Sequence, residues 1–528
     1  MSLKVSNLRL GVDSDERELP QQLARALGVL EGDLLHWRIL RKSLDARDPD
    51  DLSFVYATEV SVADETGLFA QQRNRAGLQI AAYEPDAFEF PPPGNNPLPH
   101  RPVIIGSGPA GIAAAYFLAE RGYRPIVLER GAAVSERIRD VRAFDEGGDH
   151  NPESNYLFGE GGAGTFSDGK LTCRMSGPDV QRVLQFYAEH KGKPSILYDH
   201  RPHLGSNRLP AVVKAQRQRI EALGGEVRFH CCVTDLDLAD GQIRGVTTTS
   251  GYIPASVVIL AIGHSARDTY EMLYQRGVPM MHKPFQIGVR IEHPQQNTNR
   301  QCYGPRKLEE KLGSASYSVI QKTGTGLDLF SFCMCAGGYV MPSVSEPGAF
   351  CTNGMSLSKR DSPYANSGLV VTLGSEHFGS THPLAGMYLQ RQYEKQAHDL
   401  SQGRYACPIQ WAKDFLQSKK SEGKLPSSYP RETLSSDVAG VIPPVIAKVL
   451  REALPVVDRR WQGRFLKEAT LVGPESRGSA PVRIPRDQAN RQTTGIQGLY
   501  PVGEGAGYAG GIISAAVDGL RTAKAIVA

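Results

Sequence analysis

Hydrophobic residues in the first third of the chain form short unbroken runs separated by stretches of helical composition. Residues 103–105 are Val-Ile-Ile, an apolar run typical of a strand buried in a parallel sheet. Residues 110–121 then favour a helix, and residues 125–128 form a second apolar run. This order of strand, turn, helix and strand predicts a βαβ unit inside an α/β domain. A third buried strand is predicted at 256–263.

The N-terminal part of the chain has a different pattern. Residues 3–12 have the character of a strand, leucines recur at helical spacing over 19–27, and hydrophobic and polar residues alternate over 54–62. These elements predict a small α+β domain at residues 1–84. Residues 85–100 are rich in proline and predict a stiff linker.

The remaining chain divides by pattern into two predicted domains. Residues 101–269 and 468–528 form a discontinuous Rossmann-like domain, and residues 270–467 form an inserted, mixed α+β substrate domain. The predicted fold class is therefore α/β with a small additional α+β domain at the N-terminus. Residues 227–238 and 243–249 predict a β-hairpin. Further helices are predicted at 209–223, 384–401 and 409–419.

Composition narrows the functional classes. The chain has 528 residues, of which 40% are hydrophobic and 22% charged, and its formal net charge is only +4. Such a small charge predicts neither a nucleic-acid partner nor a membrane surface. No apolar run approaches the ~18 residues of a membrane-spanning helix, and the N-terminus lacks the apolar region of a signal peptide. Eight cysteines are too few for a disulfide scaffold, so we expect a cytoplasmic protein.

A G-x-G-x-x-G pattern connects the first predicted strand to its helix. Gly106 permits a tight turn, Gly108 lets the backbone approach a pyrophosphate, and Gly111 allows close packing of the helix on the strand. Glu129 ends the next strand, where an acid accepts hydrogen bonds from a ribose and disfavours a 2′-phosphate. This pattern indicates FAD or NAD. The residues predicted to bind it are Gly106, Ser107, Gly108, Pro109, Ala110, Gly111, Glu129 and Arg130.

A second glycine-rich segment at 158–171 cannot form a stable helix or a central strand. It is either a mobile surface loop or backbone wrapped around the ligand, and Lys170 could meet a phosphate or the reduced flavin there. We predict the second case. The cofactor-binding residues predicted here and on the following strands are Gly162, Gly164, Thr165, Ser167, Lys170, Val233 and Gly263.

The segment 498–513 again predicts a strand, a glycine turn and a helix, with Glu504 in the turn. A carboxylate there can hold a ribitol hydroxyl, and the positive end of the helix can face the edge of the flavin that becomes anionic on reduction. NAD contains no ribitol, so this second turn favours FAD. Its predicted cofactor-binding residues are Gly503, Glu504, Gly510, Gly511 and Ile512.

Three residues are candidates for catalysis. His264 follows the strand at 256–263, so it could donate a proton or a hydrogen bond to substrate, or bond the backbone in a structural role. Cys333 and Cys335 form a C-x-C pair that differs from the C-x-x-C of disulfide reductases. They are either inert buried thiols or groups acting at the flavin or the substrate. No further ligands lie at metal-site spacing, so no metal is predicted.

Three arginines are candidates for binding a substrate carboxylate. Arg290 lies on a predicted strand beside Glu292, where a salt bridge on the strand face is the alternative. Arg477 and Arg483 precede the second glycine turn, and two converging guanidinium groups would clamp a carboxylate.

The two glycine turns together resemble those of the two-dinucleotide-binding-domain, glutathione-reductase-like flavoproteins. The resemblance implies an extended FAD with its adenine near Glu129 and its flavin near Glu504. The chain is more specifically similar to a bacterial family of uncharacterised FAD-dependent dehydrogenases, in segments spread over nearly its whole length. These segments are GEGGAGTFSDGKL, AIGHSARDTYEML, KPFQIGVRIEHPQ, FSFCMCAGG, TNGMS and SLDARD.

The sequence thus predicts an FAD-dependent oxidoreductase that transfers a hydride between flavin N5 and a small organic substrate. A substrate with a carboxylate group would suit the candidate arginines. Only one complete fingerprint precedes a helix, so either NAD(P)H visits the flavin transiently, or another electron donor or the substrate itself reduces FAD. The alternatives are a flavin monooxygenase and a non-catalytic binding protein that keeps the FAD fold. A third is an RNA-modifying flavoenzyme that uses N-terminal basic residues such as Arg38, Arg41, Lys42, Arg47, Arg73 and Arg75.

Overall fold

A computed structural model describes residues 2–63 and 77–528. It contains a small N-terminal sheet, a parallel sheet flanked by helices, and a larger mixed sheet covered by helices. The mixed α/β architecture with a Rossmann-like domain confirms the predicted fold class. Within this described part of the chain, no helix is both long and apolar enough to cross a membrane.

The α-helices vary from one turn to more than four turns in length. In chain order they are α1 (Leu19–Leu27), α2 (Pro109–Ala119), α3 (Val134–Asp145), α4 (Pro178–Glu189), α5 (Leu209–Ala222), α6 (Arg267–Gln275), α7 (Gln295–Tyr303), α8 (Glu309–Leu312), α9 (Ala385–Leu400), α10 (Ala412–Leu416), α11 (Pro444–Arg460) and α12 (Ile512–Val527).

The strands of the N-terminal and Rossmann-like domains are β1 (Ser2–Gly11), β2 (Leu34–Asp45), β3 (Ser53–Val62), β4 (Gln79–Tyr83), β5 (Val103–Ile105), β6 (Ile126–Leu128), β7 (Glu226–Arg228), β8 (Val233–Ala239), β9 (Gln242–Thr248), β10 (Gly251–Pro254) and β11 (Val258–Leu260). The later strands are β12 (Met281–His282), β13 (Phe285–Pro294), β14 (Ile320–Gln321), β15 (Leu329–Cys335), β16 (Gly338–Pro342), β17 (Thr352–Ser356), β18 (Tyr364–Leu373), β19 (Cys407–Trp411), β20 (Thr433–Ser435), β21 (Thr470–Glu475), β22 (Val482–Arg483) and β23 (Leu499–Pro501).

The N-terminal sheet is antiparallel, with the strand order β2-β3-β1-β4 of a split βαβ arrangement. Its basic residues are largely neutralised by acidic neighbours. Arg38 forms an ion pair with Glu59, Lys42 with Glu16 and Arg47 with Asp45. Arg41 lies 2.9 Å from a ring nitrogen of His200, and the last two predicted basic residues, Arg73 and Arg75, lie outside the described residues.

The Rossmann-like domain contains a five-stranded parallel sheet in the order β23-β11-β5-β6-β7. Its strands are short and buried because helices cover both faces. Helix α12 packs directly on α2: a Cβ added to Gly519 would lie 2.1 Å from the carbonyl oxygen of Ala110. The C-terminal helix therefore joins the first βαβ unit, and both sequence ends of this domain meet in one core.

The proline-rich segment is attached to the Rossmann-like domain. Phe88 and Phe90 each lie 6.4 Å, ring to ring, from Phe117 of α2, and the amide of Gly94 donates to the carbonyl of Val527 at 2.7 Å. These contacts give the segment a packing role in addition to its expected role as a spacer.

The larger sheet has seven strands in the order β14-β15-β18-β13-β21-β19-β20. Because β21 pairs with β13 and β19, residues 470–475 belong structurally to this sheet. We therefore propose that the chain returns from the inserted domain to the Rossmann-like domain after Glu475. The boundary predicted from the sequence, after residue 467, lies earlier.

Two predicted elements differ from the observed ones. The strand expected over 227–238 is broken at His230, whose φ of 52° turns the chain, so β7 joins the parallel sheet while β8 joins an antiparallel one. Residues 407–411 form β19, and only 412–416 are helical, although a helix was expected over 409–419. Pairing with β20 and β21 overrides the local helical pattern there.

Candidate functional site

A cleft of about 470 Å³ opens at the carboxyl ends of the parallel strands, where ligands bind in sheets of this type. Its walls come from both glycine turns, the loop at 157–172, the ends of β7 and β11, and the larger sheet. The predicted site residues that line it are Gly106, Ser107, Gly108, Pro109, Ala110, Glu129, Arg130, Gly162, Gly164, Ser167, Lys170, Val233, Gly263, His264, Cys333, Arg477, Gly503, Glu504, Gly510, Gly511 and Ile512.

The glycines of the first turn have separate structural roles. A Cβ on Gly106, where φ is 102°, would lie 2.4 Å from the carbonyl oxygen of Ala261, and one on Gly111 would lie 2.0 Å from that of Gly106. These two positions therefore serve backbone packing. A Cβ on Gly108 would find its nearest neighbour 4.0 Å away, so this glycine leaves room for a ligand beside the N-terminus of α2.

Glu129 accepts four hydrogen bonds from the chain itself. One carboxylate oxygen accepts from the amide and hydroxyl of Ser107 at 3.0 and 2.6 Å, and the other accepts from the amides of Gly131 and Gly159 at 2.9 and 3.0 Å. These bonds occupy the acceptor sites of the carboxylate. A ribose hydroxyl would therefore have to compete with the hydroxyl of Ser107 for this carboxylate.

The glycine-rich loop is held by a buried arginine. The guanidinium of Arg137, on α3, donates to the carbonyls of Asn155, Gly159, Glu160 and Gly162 at 2.8 to 3.2 Å. This network presents the loop to the cleft in a defined conformation. The side chain of Thr165 points away from the cleft and donates to the carbonyl of Glu160 at 2.9 Å.

The second glycine turn is held from both sides. The amide of Gly503 donates to Asp518 at 2.8 Å, and one oxygen of Glu504 accepts from the amide of Ala480 at 2.7 Å. Burial raises the pKa of Glu504. Gly510 and Gly511 are exposed at the rim, immediately before α12 begins. The turn thus offers a carboxylate and a helix N-terminus to the same part of the cleft.

These features fit an extended dinucleotide. Two glycine turns and two helix N-termini face one continuous cleft, and Gly108 and Gly510 provide close approach without backbone collision. The pyrophosphate would be held at Gly108 and α2, and the ribitol by Glu504. FAD supplies a two-electron acceptor when it is bound there.

Comparison with known proteins agrees with this fit. A family model described as "FAD-dependent protein, C-terminal domain-like" matches residues 284–478, and one described as "NAD(P)-binding Rossmann-like domain" matches residues 104–164. A domain of unknown function matches residues 2–61. An uncharacterised protein of Clostridium beijerinckii is 39% identical over 530 residues, covering 100% of this chain and 99% of the relative.

The chain belongs to this family of FAD-dependent oxidoreductases. Its cofactor is FAD, as the two turns predicted.

Several solved structures align with much of this FAD-dependent oxidoreductase at low identity. L-proline dehydrogenase from P. horikoshii is 11% identical with a TM-score of 0.34, covering 81% of this chain and 93% of its own. Glycine oxidase from Bacillus cereus is 13% identical with a TM-score of 0.33, covering 81% and 94%. The halogenase PltM is 11% identical with a TM-score of 0.35, covering 80% and 67%.

His264 lies half-buried in the wall of the cleft of the FAD-dependent oxidoreductase, with Nδ1 2.7 Å from the hydroxyl of Ser265. Burial, together with the positive charges of Arg477 and Arg267, lowers its pKa to about 4. The imidazole is therefore neutral at pH 7. It can donate or accept a hydrogen bond there, but it does not carry the extra proton of an imidazolium.

Cys333 and Cys335 lie on an irregular part of their strand. Strand β15 contains a bulge against β18 between Phe332 and Cys335, and Cys333 has a φ of 43°, in the left-handed region. This conformation costs a non-glycine residue about 1 kcal/mol. The two sulfurs are 3.9 Å apart. Only Cys333 reaches the cleft, because Cys335 is completely buried behind it.

Lys170 connects the glycine-rich loop to this bulge. Its ammonium donates to the carbonyl of Met334 and lies 2.6 Å from a carboxylate oxygen of Asp168. Burial opposes the charge of Asp168, but Lys170 and His203 together hold the pKa of this carboxyl below its ordinary range. The Asp168–Lys170 pair is therefore charged, and it places a cation beside Cys333.

Arg477 is part of a buried network on the other side of the cleft. Arg477 and Arg267 both bind Glu394, with the shortest contacts at 2.8 Å. Burial alone would raise the pKa of Glu394, but the two guanidinium groups lower it strongly. Arg477 also donates to the hydroxyl of Ser345. Three of its five N–H groups are thus used within the protein, and the Arg477 side chain borders the cleft.

Five predicted site residues do not line the cleft. Gly111 packs on the strand, Thr165 bonds the backbone, and Cys335 lies behind Cys333. Arg483 donates to the carbonyl of Gly507 at 3.0 Å and lies over the ring of Tyr508. Arg290 is buried and binds Glu475 through two hydrogen bonds of 2.7 Å, so it pairs with a different acid from the expected Glu292.

Other residues line the cleft without having been predicted as site residues. They include Leu157, Phe158, Asp168, Thr172, Cys231, Cys232, Ile262, Ser265, Phe332, Asn353 and Gly478. Cys232 is half-buried at the cleft wall. Phe332 and Asn353 belong to FSFCMCAGG and TNGMS, two of the segments that resemble the bacterial family. That resemblance could therefore have indicated them as site residues. In the described residues, no group of three or more His, Cys, Asp or Glu side chains could hold a metal ion.

Proposed function

We propose that the enzyme transfers a hydride between N5 of the flavin and a small organic substrate bound between His264 and Arg477. The observation that carries this proposal is that His264, Arg477 and Cys333 share one cleft with Glu504 and the second glycine turn. The family membership supports redox chemistry on FAD. A substrate in this position would contact the flavin end of the cleft rather than the end near Glu129.

The side chains at this end favour a substrate with an anionic or strongly accepting group. Arg477 borders the cleft and keeps two N–H groups that do not bond Glu394 or Ser345, and these would bind the carboxylate. His264 is neutral and can hydrogen-bond a substrate oxygen or amine. Arg483 does not share this cleft, so we propose a site with one arginine rather than a clamp of two.

An external electron donor is also part of the proposal. The chain contains a single complete nucleotide fingerprint before a helix, and FAD uses it. NAD(P)H or another donor would therefore visit the flavin transiently, or the substrate itself would reduce it.

The test is anaerobic mixing of the full-length FAD-loaded enzyme with matched pairs of metabolites, each carboxylic acid beside its amide. We expect an acid to bleach the visible flavin absorbance while its amide does not, and Arg477→Lys to slow the bleaching about tenfold or more. Arg404→Lys, at an exposed pair with Glu432, is the control.

Three results would count against the proposal. Equal bleaching by acids and amides would show that the substrate needs no carboxylate. A wild-type rate in Arg477→Lys would show that Arg477 does not bind the substrate. Reaction only after oxygen is admitted, with oxygen incorporated into the product, would replace hydride transfer by monooxygenation.

A further inference from the structure

We propose that Cys333 and Cys335 form a reversible dithiol–disulfide couple that exchanges two electrons with the flavin. This inference rests on the proposed function, because the flavin is the two-electron partner of the thiols. It assigns to the C-x-C pair a role as an electron relay beside the cofactor.

The backbone places the two sulfurs within reach of a bond. In a regular strand, side chains two residues apart share a face but remain about two strand rises apart, at ~3.3 Å each. The bulge and the positive φ of Cys333 interrupt this regular arrangement, and the sulfurs lie 3.9 Å apart. A disulfide needs them at about 2.05 Å, which side-chain rotation and a small backbone adjustment can provide.

The two thiols have unequal access to the cleft. Cys333 is half-buried and lines it, whereas Cys335 has no exposed surface. This arrangement suits a pair in which Cys333 reacts first. Once Cys333 is oxidised, Cys335 forms the disulfide with it before an external thiol reaches it.

The surroundings of the pair shift the pKa values of the two thiols in opposite directions. A hydrogen bond from Cys335, aided by the positive charges of Lys170 and Arg290, lowers the pKa of the Cys333 thiol. Burial raises the pKa of Cys335. The reduced pair therefore consists of a thiolate at Cys333 and a thiol at Cys335, which share one proton. Asp168 offsets part of this effect, since its carboxylate lies next to Lys170.

The electron transfer balances with these groups alone. A bond forms between the sulfurs of Cys333 and Cys335, and the S–H bond of Cys335 breaks. The two electrons and that proton pass to oxidised FAD, which leaves a disulfide and the anionic reduced cofactor. In the reverse direction, reduced FAD returns the pair to its thiolate and thiol.

The first test measures the thiols without any activity assay. The full-length FAD-loaded enzyme is equilibrated anaerobically in dithiothreitol buffers of stepped potential, quenched with acid, alkylated and digested for mass spectrometry. We expect the peptide containing residues 333–335 to change from doubly alkylated to unalkylated in a single step, losing the mass of two hydrogen atoms. Double alkylation at every potential would overturn the proposal, as would loss of one thiol only.

The second test follows electrons to the cofactor. Excess dithiothreitol is mixed anaerobically with the enzyme, and the visible flavin absorbance is recorded. We expect Cys333→Ser and Cys335→Ala each to slow the bleaching about tenfold or more relative to wild type. Cys302→Ser, at a half-buried cysteine outside the cleft, should bleach like wild type. Wild-type rates in both pair variants would overturn the relay.

The two proposals fail in different ways. If the enzyme binds FAD and a substrate bleaches it normally in Cys333→Ser, the relay is wrong for that reaction while the proposed function stands. If no substrate bleaches the flavin but the 333–335 peptide still oxidises in one step, the proposed function fails and the couple remains. Retained FAD content in Cys335→Ala shows that slow bleaching does not result from unfolding.

Discussion

The guanidinium of Arg290 donates a hydrogen bond to the carbonyl oxygen of Cys333 at 3.1 Å, and so a buried residue of β13 holds the bulge that faces the flavin end of the cleft. The same guanidinium binds Glu475 twice and Asn366 once. It also donates to Asn353 of the cleft lining at 3.1 Å, so Arg290 acts on the cleft through Cys333 and Asn353 and is a positioning residue. This relationship replaces the direct substrate contact that its sequence position suggested.

Replacing Arg290 should destabilise the enzyme and disturb Cys333. Arg290→Lys keeps the charge but cannot make the paired bonds to Glu475, and loss of a hydrogen bond to a charged group costs about 1.5–3 kcal/mol. We expect urea unfolding to show a loss of this order, with a changed alkylation rate at Cys333. Arg38→Lys, at the exposed pair with Glu59, should cost less than about 1 kcal/mol. Equal losses in the two variants would contradict the assigned role.

Gly111→Ala should impair both stability and FAD binding. The added methyl would lie 2.0 Å from the carbonyl oxygen of Gly106, and backbone must move to accept it. Overpacking of this kind costs about 1–3 kcal/mol. The measurements are the melting temperature and the flavin bound per chain after purification. Gly440→Ala is the control, because nothing lies within 4 Å of its new methyl. A fully loaded Gly111→Ala enzyme of normal stability would refute the prediction.

Glu504→Ala should weaken FAD binding by about 10- to 100-fold, the range expected from losing hydrogen bonds to a charged acceptor. It also leaves the amide of Ala480 without its acceptor. Glu504→Gln keeps an acceptor oxygen and should lose less. Titration of the FAD-free protein with FAD, followed by flavin fluorescence, gives both dissociation constants. Identical affinities for Glu504→Ala and wild type would exclude a ribitol contact at this position.

Acid should destabilise the enzyme through His293, which is completely buried between Phe465 and Thr298. Burial lowers its pKa from 6.5 to about 4. Between these two pH values the unfolded chain binds more protons than the folded one, so the free energy of unfolding falls as pH falls. The contribution is roughly 3 kcal/mol, fully present above pH 6.5.

The comparison for this prediction is His293→Gln, which cannot titrate. Its free energy of unfolding should decline less steeply than that of wild type between pH 6.5 and 4, in denaturant titrations at each pH. His36→Gln, at an exposed position, should keep the wild-type slope. A wild-type slope in His293→Gln would mean that other groups cause the acid sensitivity.

Removal of the N-terminal domain should leave FAD binding intact. Removal of the proline-rich segment that follows it should lower stability. Every residue lining the cleft lies between Ile105 and Ala515. A chain of residues 85–528 should therefore bind FAD in equimolar amount. A chain of residues 95–528 lacks Phe88 and Phe90 and should lose roughly 2–4 kcal/mol of stability from lost burial. Equal denaturant midpoints for the two chains would contradict the packing role.

Local sequence patterns were enough to predict the cofactor and the frame that holds it. Gly106 and Gly108 lie a few residues from the strand and helix that they connect, and Glu504 lies directly in its turn. Their functions depend on short-range spacing, and Gly106 also needs a positive φ that only glycine adopts easily. The predictions of FAD and of the α/β fold are accordingly confirmed.

Tertiary structure alone decided the rest, because those features depend on pairing between distant segments. The bulge that brings Cys333 to Cys335 arises from the register of β15 against β18, and Arg290 meets Glu475 from a strand that is 185 positions away. Residues 407–411 became a strand because neighbouring strands satisfy their backbone. A linear pattern carries the preferences of each segment, but hydrogen-bond partners and burial are settled only when the segments pack together.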